Sequence, residues 1–311
     1  MATCDTACLR GWVRCGVLVF ALIVLDTVSL PAGGTRQADG GAGAPEGTVV
    51  FVSIPPQQEF VERIAGSRLE VRVLAGPGAD PHTYEPTPRQ VAELSSAAAY
   101  FRIGADFESG LLPRLQSAAP SVRIVDLREG IRLRPMDPEV GGSHEGHGGE
   151  GLDPHIWMSP KNVIRMARTI ADTLEAIYPE EAAGFEEGYR GYVRDLEELD
   201  ARISSVLAPH RGAAILVRHP SFGYFADAYG LRQLAVERLG SEPGTRELAE
   251  LVEMARSEGV RVVFAQPQYA QESARAVARE IGGVVVFLDP LAPDYLQNMQ
   301  SIADAVREAL R

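Results

Sequence analysis

Four side chains in this sequence have the type and setting to hold a metal ion. They are His82 in GADPHTYEP, His155 in LDPHIWMSP, His219 in ILVRHPSFGYF and Asp289 in VVVFLDPLAPDYL. Imidazole nitrogens and a carboxylate oxygen are ligands of the zinc type. Any one of them alone is more often a satisfied core or surface group than a ligand, so placement has to carry the argument. His82 and His155 each close an Asp-Pro-His triplet. Proline fixes its own φ and pushes the preceding aspartate toward extended backbone, which stiffens the approach to the histidine. The four lie roughly seventy residues apart, unlike zinc fingers, whose ligand pairs are a few residues apart. A site built from them exists only once distant parts of the chain have folded and docked.

The elements that must position them read as alternating strands and helices. Apolar, β-branched runs occur at Val49–Ser53, Leu69–Leu74, Ala98–Ile103, Val122–Val125, Ala213–Val217, Val260–Ala265 and Val284–Leu288. They are continuous rather than alternating, as strands buried on both faces are. Helical patterns such as Gln57–Ile64, Thr87–Ser95, Thr245–Ser257 and Gln271–Ile281 lie between them. That order predicts an α/β fold with parallel-rich sheets. His82 then falls in the loop after a strand, His219 just after one, and Asp289 directly after another. Ligands of open parallel sheets bind beyond the carboxyl ends of the strands.

The middle of the chain breaks the alternation. Asn162–Ile177 and Glu180–Leu207 are long helical patterns separated only by Tyr178 and Pro179. In the second, Phe185, Tyr189, Tyr192, Leu196 and Leu199 form an apolar stripe at steps of 3 or 4. We read it as a rigid spine joining an N-terminal α/β lobe, residues 48–179, to a C-terminal α/β lobe, residues 208–311. The spine itself takes residues 180–207. No repeat between the lobes is visible in the sequence.

The first 34 residues read as a secretory signal: a basic start with Arg10 and Arg14, an apolar run from Val17 to Val28, then Pro31, Ala32, Gly33 and Gly34. Residues 35–47 are a Gly- and Ala-rich flexible tether. All three cysteines lie in the leader, so the exported chain, periplasmic or at the cell surface, relies on an ordinary core rather than disulfides. The formal net charge is −12, with Lys161 the single lysine. Without a basic stripe, nucleic-acid binding is excluded as an expectation.

With these motifs in place, the chain resembles the zinc- and manganese-binding solute receptors of bacterial ABC importers, the cluster A-I family. The resemblance rests on SIPPQQEFVERIAG, GADPHTYEPTPRQ, DPHIWMSPKN, HPSFGYFADAYGL, AQPQYAQESARAVAREIGG and LDPLAPDYLQNM, in family order. It implies two lobes joined by one long helix, with the metal in the cleft between them. It also implies His82 and His155 as ligands from the N-terminal lobe, and His219 and Asp289 from the C-terminal lobe. A histidine at position 219, where manganese-type members tend to carry glutamate, favours Zn2+ over Mn2+ or Fe2+. Asp289 is the least secure of the four, with a turn role before Pro290, Glu85 or water as alternatives. His144 and His147, in GGSHEGHGGEG, match the place of a histidine-rich loop in zinc-type members. His210 reads as an ordinary side chain.

The implied activity is a non-enzymatic, monomeric receptor that hands zinc to the membrane permease of an ABC importer. A manganese or iron receptor of the same type is the alternative. A zinc hydrolase is a weaker reading: His-Glu-x-x-His and Gly-x-Ser-x-Gly are absent, and a shell completed by Asp289 would leave no water to activate. Nothing distinctive supports an adhesin.

Overall fold

In the first half of the folded chain, β1 (Val49–Val52) leads through α1 (Pro56–Ala65) to β2 (Glu70–Val73). Then come α2 (Pro88–Leu94), β3 (Ala99–Arg102), α3 (Asp106–Ala118) and β4 (Arg123–Asp126). The four strands pair in parallel in the order β2-β1-β3-β4. Helices α4 (Pro160–Ile177) and α5 (Ala182–Leu207) follow. The second half runs β5 (Ala214–Val217), α6 (Gly223–Tyr229), β6 (Arg232–Ala235) and α7 (Thr245–Ser257). It ends with β7 (Val262–Ala265), α8 (Glu272–Glu280), β8 (Val284–Phe287) and α9 (Tyr295–Ala309). Its sheet is again parallel, in the order β6-β5-β7-β8. The computed structural model describes residues 48–136, 151–237 and 244–311. The leader, the tether and the His144/His147 segment lie outside the described residues.

The two sheets share one strand order, so the lobes repeat an architecture that the sequence does not reveal. Seven of the eight strands fall on the apolar runs. The eighth, β6, reads RQLA and escaped the pattern. It is an edge strand with Arg232 exposed and only Leu234 and Ala235 buried, and an edge strand has no need of a continuous apolar run.

Helix α5 is the spine. Phe185, Tyr192, Leu196, Leu199, Ile203 and Leu207 are buried along it, against α1, α4 and α9. Gly188 is required there, because a Cβ would run into the carbonyl oxygen of Ile64 at the end of α1. The last helix returns to this layer. Phe60 of α1 meets Tyr295 of α9 edge to face at 5.1 Å, and both are fully buried. Burying side chains of this size stabilises by about 1.5–3 kcal/mol each. The first lobe, the spine and the C-terminal helix thus share one core, and the described residues belong to a single compact unit.

In each sheet the strand order reverses direction between two central strands, β1 and β3 in one and β5 and β7 in the other. Ligands of doubly wound sheets gather at such points. Ile54 and Ala105 follow the first pair, and His219 and Gln268 follow the second. All four line one pocket.

Candidate metal centre

Two local devices deliver the histidines of the pocket. His82 follows β2 in an Asx-type turn, its backbone N–H donating to Asp80 Oδ1 at 3.0 Å. His155 sits in the same kind of turn, its N–H donating to Asp153 Oδ1 at 2.9 Å. His219 leaves β5 and is clamped by the buried Gln266. The Gln266 amide donates to His219 O and to Ser221 Oγ, both at 3.0 Å, and its oxygen accepts from His219 N–H at 3.3 Å.

The three rings meet through their Nε2 atoms. His82 Nε2 lies 3.1 Å from His219 Nε2, and His219 Nε2 lies 3.3 Å from His155 Nε2. Among the described residues these three form the group of His, Cys, Asp or Glu that converges closely enough for one ion, with ligand atoms all within 4.8 Å.

Every Nδ1 faces a carboxylate. His82 Nδ1 is 2.8 Å from Asp106 Oδ2, His155 Nδ1 is 2.8 Å from Asp153 Oδ1, and His219 Nδ1 is 3.2 Å from Glu237 Oε2. A carboxylate on Nδ1 fixes the proton there and leaves the lone pair on Nε2. Three lone pairs then point at one another, an arrangement that repels unless a cation lies between them. Two nitrogens bound to a common tetrahedral zinc at about 2.0–2.1 Å stand about 3.3–3.4 Å apart. The two separations that His219 makes suit that ion.

The carboxylates are themselves held. Asp153 is fully buried and accepts from Arg134 Nη1 at 3.0 Å on Oδ2. Glu237 accepts from Arg218 Nη1 at 2.7 Å. Asp106, the first residue of α3, is largely exposed. Burial drives the His219 imidazole down to about 4, with Glu237 opposing it only in part. Burial also pulls His82 down, but Asp106, Asp80 and Glu237 outweigh it and hold the ring above its ordinary value. Its hydrogen bond to His82 lowers the Asp106 carboxyl.

Asp289 is not brought into this cluster. Its Oδ1 accepts from Leu291 N–H at 2.8 Å and from Gln268 Nε2 at 2.6 Å, so it organises the Pro290 turn. Glu85 is exposed and does not join the cluster either. Asp106, Asp153, Glu237, Arg134 and Gln266 went unnoticed in the sequence as contributors to a site. Asp153 had a visible signal, since an aspartate two residues before a histidine can grip both its N–H and its ring. The others come from separate elements and leave no local trace.

The cleft is also tied across its two sides. Tyr269 OH donates to Asp80 Oδ1 at 3.3 Å. Trp157 Nε1 donates to Pro290 O, and Tyr295 OH donates to Trp157 O, both at 2.8 Å. Arg134 reaches Asp227 of α6 at 2.9 Å.

Comparison with known proteins places the chain in a family. The model of the family described as "Zinc-uptake complex component A periplasmic" matches residues 50–309. The zinc-binding lipoprotein AdcA of Streptococcus pneumoniae is 29% identical over 264 residues, covering 82% of this chain and 51% of AdcA. The chain thus spans about half the length of that curated relative. A crystal structure of ZnuA superposes with a TM-score of 0.78 at 38% identity, covering 85% of this chain and 100% of that one. A ZnuA deletion mutant with zinc bound gives 0.77 at 38% identity, covering 85% and 98%.

Proposed function

Since the chain belongs to the family of periplasmic zinc-uptake components, we propose that it is an extracytoplasmic receptor that binds Zn2+ and delivers it to the permease of an ABC importer. The observation that carries this reading is the convergence of His82, His155 and His219 through Nε2, each with a carboxylate on Nδ1. Zinc is here the cargo. Imidazole ligands favour it over manganese, which prefers carboxylate and water.

The receptor acts as a monomer, with residues 48–179 and 208–311 as lobes on a spine of residues 180–207. Residues 1–34 direct export and residues 35–47 tether the folded part. Among the described residues no helix is long and apolar enough to cross a membrane.

Asp289 does not complete the shell in this structure, so coordination number no longer argues against the activated water of a zinc hydrolase. Membership in a family of zinc receptors does.

Titration of the metal-free protein with zinc tests the proposal. One tight equivalent is expected, outcompeting manganese. A protein that binds no zinc, or binds manganese in preference, overturns it. For the delivery step, the chain should restore growth of a receptor-deficient strain under zinc chelation, and failure there with intact zinc binding rejects the permease partner.

A further inference from the structure

One of the polar side chains lining the pocket outside the three-histidine cluster carries an acceptor without a partner. Gln268 follows β7 and lines the pocket. Its amide nitrogen donates to Asp289 Oδ1 at 2.6 Å, the shorter of the two bonds on that oxygen. Its own Oε1 is buried without a hydrogen-bond partner among the described residues. Buried acceptors are nearly always paired, so an unpaired one on a residue that lines the pocket is open to a donor.

We propose that Gln268 sets the fourth coordination position of the bound ion, its amide nitrogen holding the Asp289 carboxylate off while its oxygen accepts from a metal-bound water. The proposal rests on the three histidines being the protein ligands. The two ends of one amide do complementary work. The nitrogen engages the carboxylate that directly follows β8, in the same lobe as His219. The oxygen can only accept, and a water on zinc is a strong donor, because the cation drains its electron density. The result is a shell of three imidazoles and one water, which suits zinc. A shell that gains a carboxylate moves toward the preference of manganese. Gln268 is thereby a specificity-determining residue that never touches the metal.

Leu291 N–H also binds Asp289 Oδ1, so the turn survives when Gln268 is changed and the carboxylate loses only its lateral restraint. Gln268→Leu removes both the donor and the acceptor at similar bulk. Zinc and manganese affinities are measured by competition with a chelator for three proteins: the unaltered chain, Gln268→Leu, and Gln268→Leu with Asp289→Asn. Gln268→Leu should raise manganese affinity relative to zinc by at least about tenfold, the lower end of the range seen for groups that orient metal ligands. The double variant should return to the original ratio, because asparagine is a poorer ligand for manganese. An unchanged ratio in Gln268→Leu, with zinc still bound tightly, overturns the proposal and leaves the metal centre standing. A shift that persists in the double variant also overturns it. No zinc binding by the unaltered chain sinks the metal centre itself, a different failure. If Gln268→Leu does not fold, Gln268→Met, which is unbranched and adaptable, is read in its place.

Discussion

The chain contains the triplet Asp-Pro-His twice and uses it in two ways. At residues 80–82 and 153–155 the backbone does the same thing, with the histidine N–H donating to the aspartate Oδ1 at 3.0 and 2.9 Å. The rings then diverge. His155 turns its Nδ1 back onto Asp153, whose second oxygen is paired with Arg134, and that aspartate side chain is 0% exposed. His82 turns away from Asp80 to Asp106 on α3, which is 61% exposed. Asp80 is left to take Tyr269 from across the cleft. Three residues set a turn; the surrounding fold decides what the ring is tied to. The second triplet is a buried socket, and the first is the rim of the site.

The largest expected effect distinguishes ligands from bystanders. His155→Ala should weaken zinc binding by more than the roughly 10–100-fold typical of outer groups, and His82→Ala somewhat less, since its ring is held by an exposed partner. His210→Ala should leave the affinity unchanged. Competition titrations give the order, and equal losses at His155 and His82 would erase the contrast between socket and rim.

Next come the aspartates. Asp153→Ala strips a buried partner from both His155 and Arg134, and breaking a buried ion pair costs about 3–5 kcal/mol. It should lower the melting temperature and zinc affinity together. Asp106→Asn should cost about tenfold in zinc affinity with little change in melting. Asp80→Ala should mainly loosen the cleft.

Gly223 offers a sharper cut. A Cβ there would overlap the Arg134 guanidinium and stand 2.6 Å from Asp153 Oδ2. Gly223→Ala should therefore damage the socket alone, with a zinc loss approaching that of an outer group, about tenfold. Trp157, whose ring lies 5.3 Å from that of His155, is the one tryptophan among the described residues. Its emission should shift in the Gly223 variant and stay unchanged in Asp106→Asn.

The smallest effect is on pH dependence. A histidine binds zinc only when neutral. His219 sits near 4, so protons compete for it only in strong acid. His82 is held above its ordinary value, so proton competition begins there, from above about 6.5. Lowering pH from 8 toward 6 should cost zinc affinity through His82, and Asp106→Asn should flatten that part of the curve. The same shifts act on the metal-free fold with opposite signs. The raised His82 contributes stability that is present below its unfolded pKa and lost as pH rises through its folded value. The lowered His219 costs stability as pH falls from about 6.5 to about 4. Isolated imidazoles titrating together near 6.5 would contradict this split.

The comparison of triplets also shows what a sequence can disclose. The α/β alternation, the spine, and His82 and His219 beyond strand ends were legible, because apolar runs, helical stripes and strand-end position are local features, while His155 stood out by its Asp-Pro-His triplet. Asp106, Glu237 and Arg134 were not. Each reaches the site from another element, and their meeting depends on the packing of both lobes. Asp289 shows the converse. It stands in a motif that suggests a ligand, yet its carboxylate is taken by Leu291 and Gln268. Strand β6 escaped because a sheet edge is only half buried.

Three imidazoles are expected to bind one ion through Nε2. X-ray absorption at the zinc edge of the loaded protein measures this directly. It should show three imidazole nitrogens and one oxygen at about 2.0–2.1 Å, with the outer-ring scattering of imidazole reduced by one third in His82→Ala, His155→Ala or His219→Ala. A shell with fewer than three imidazoles, or one that His82→Ala leaves intact, would contradict it.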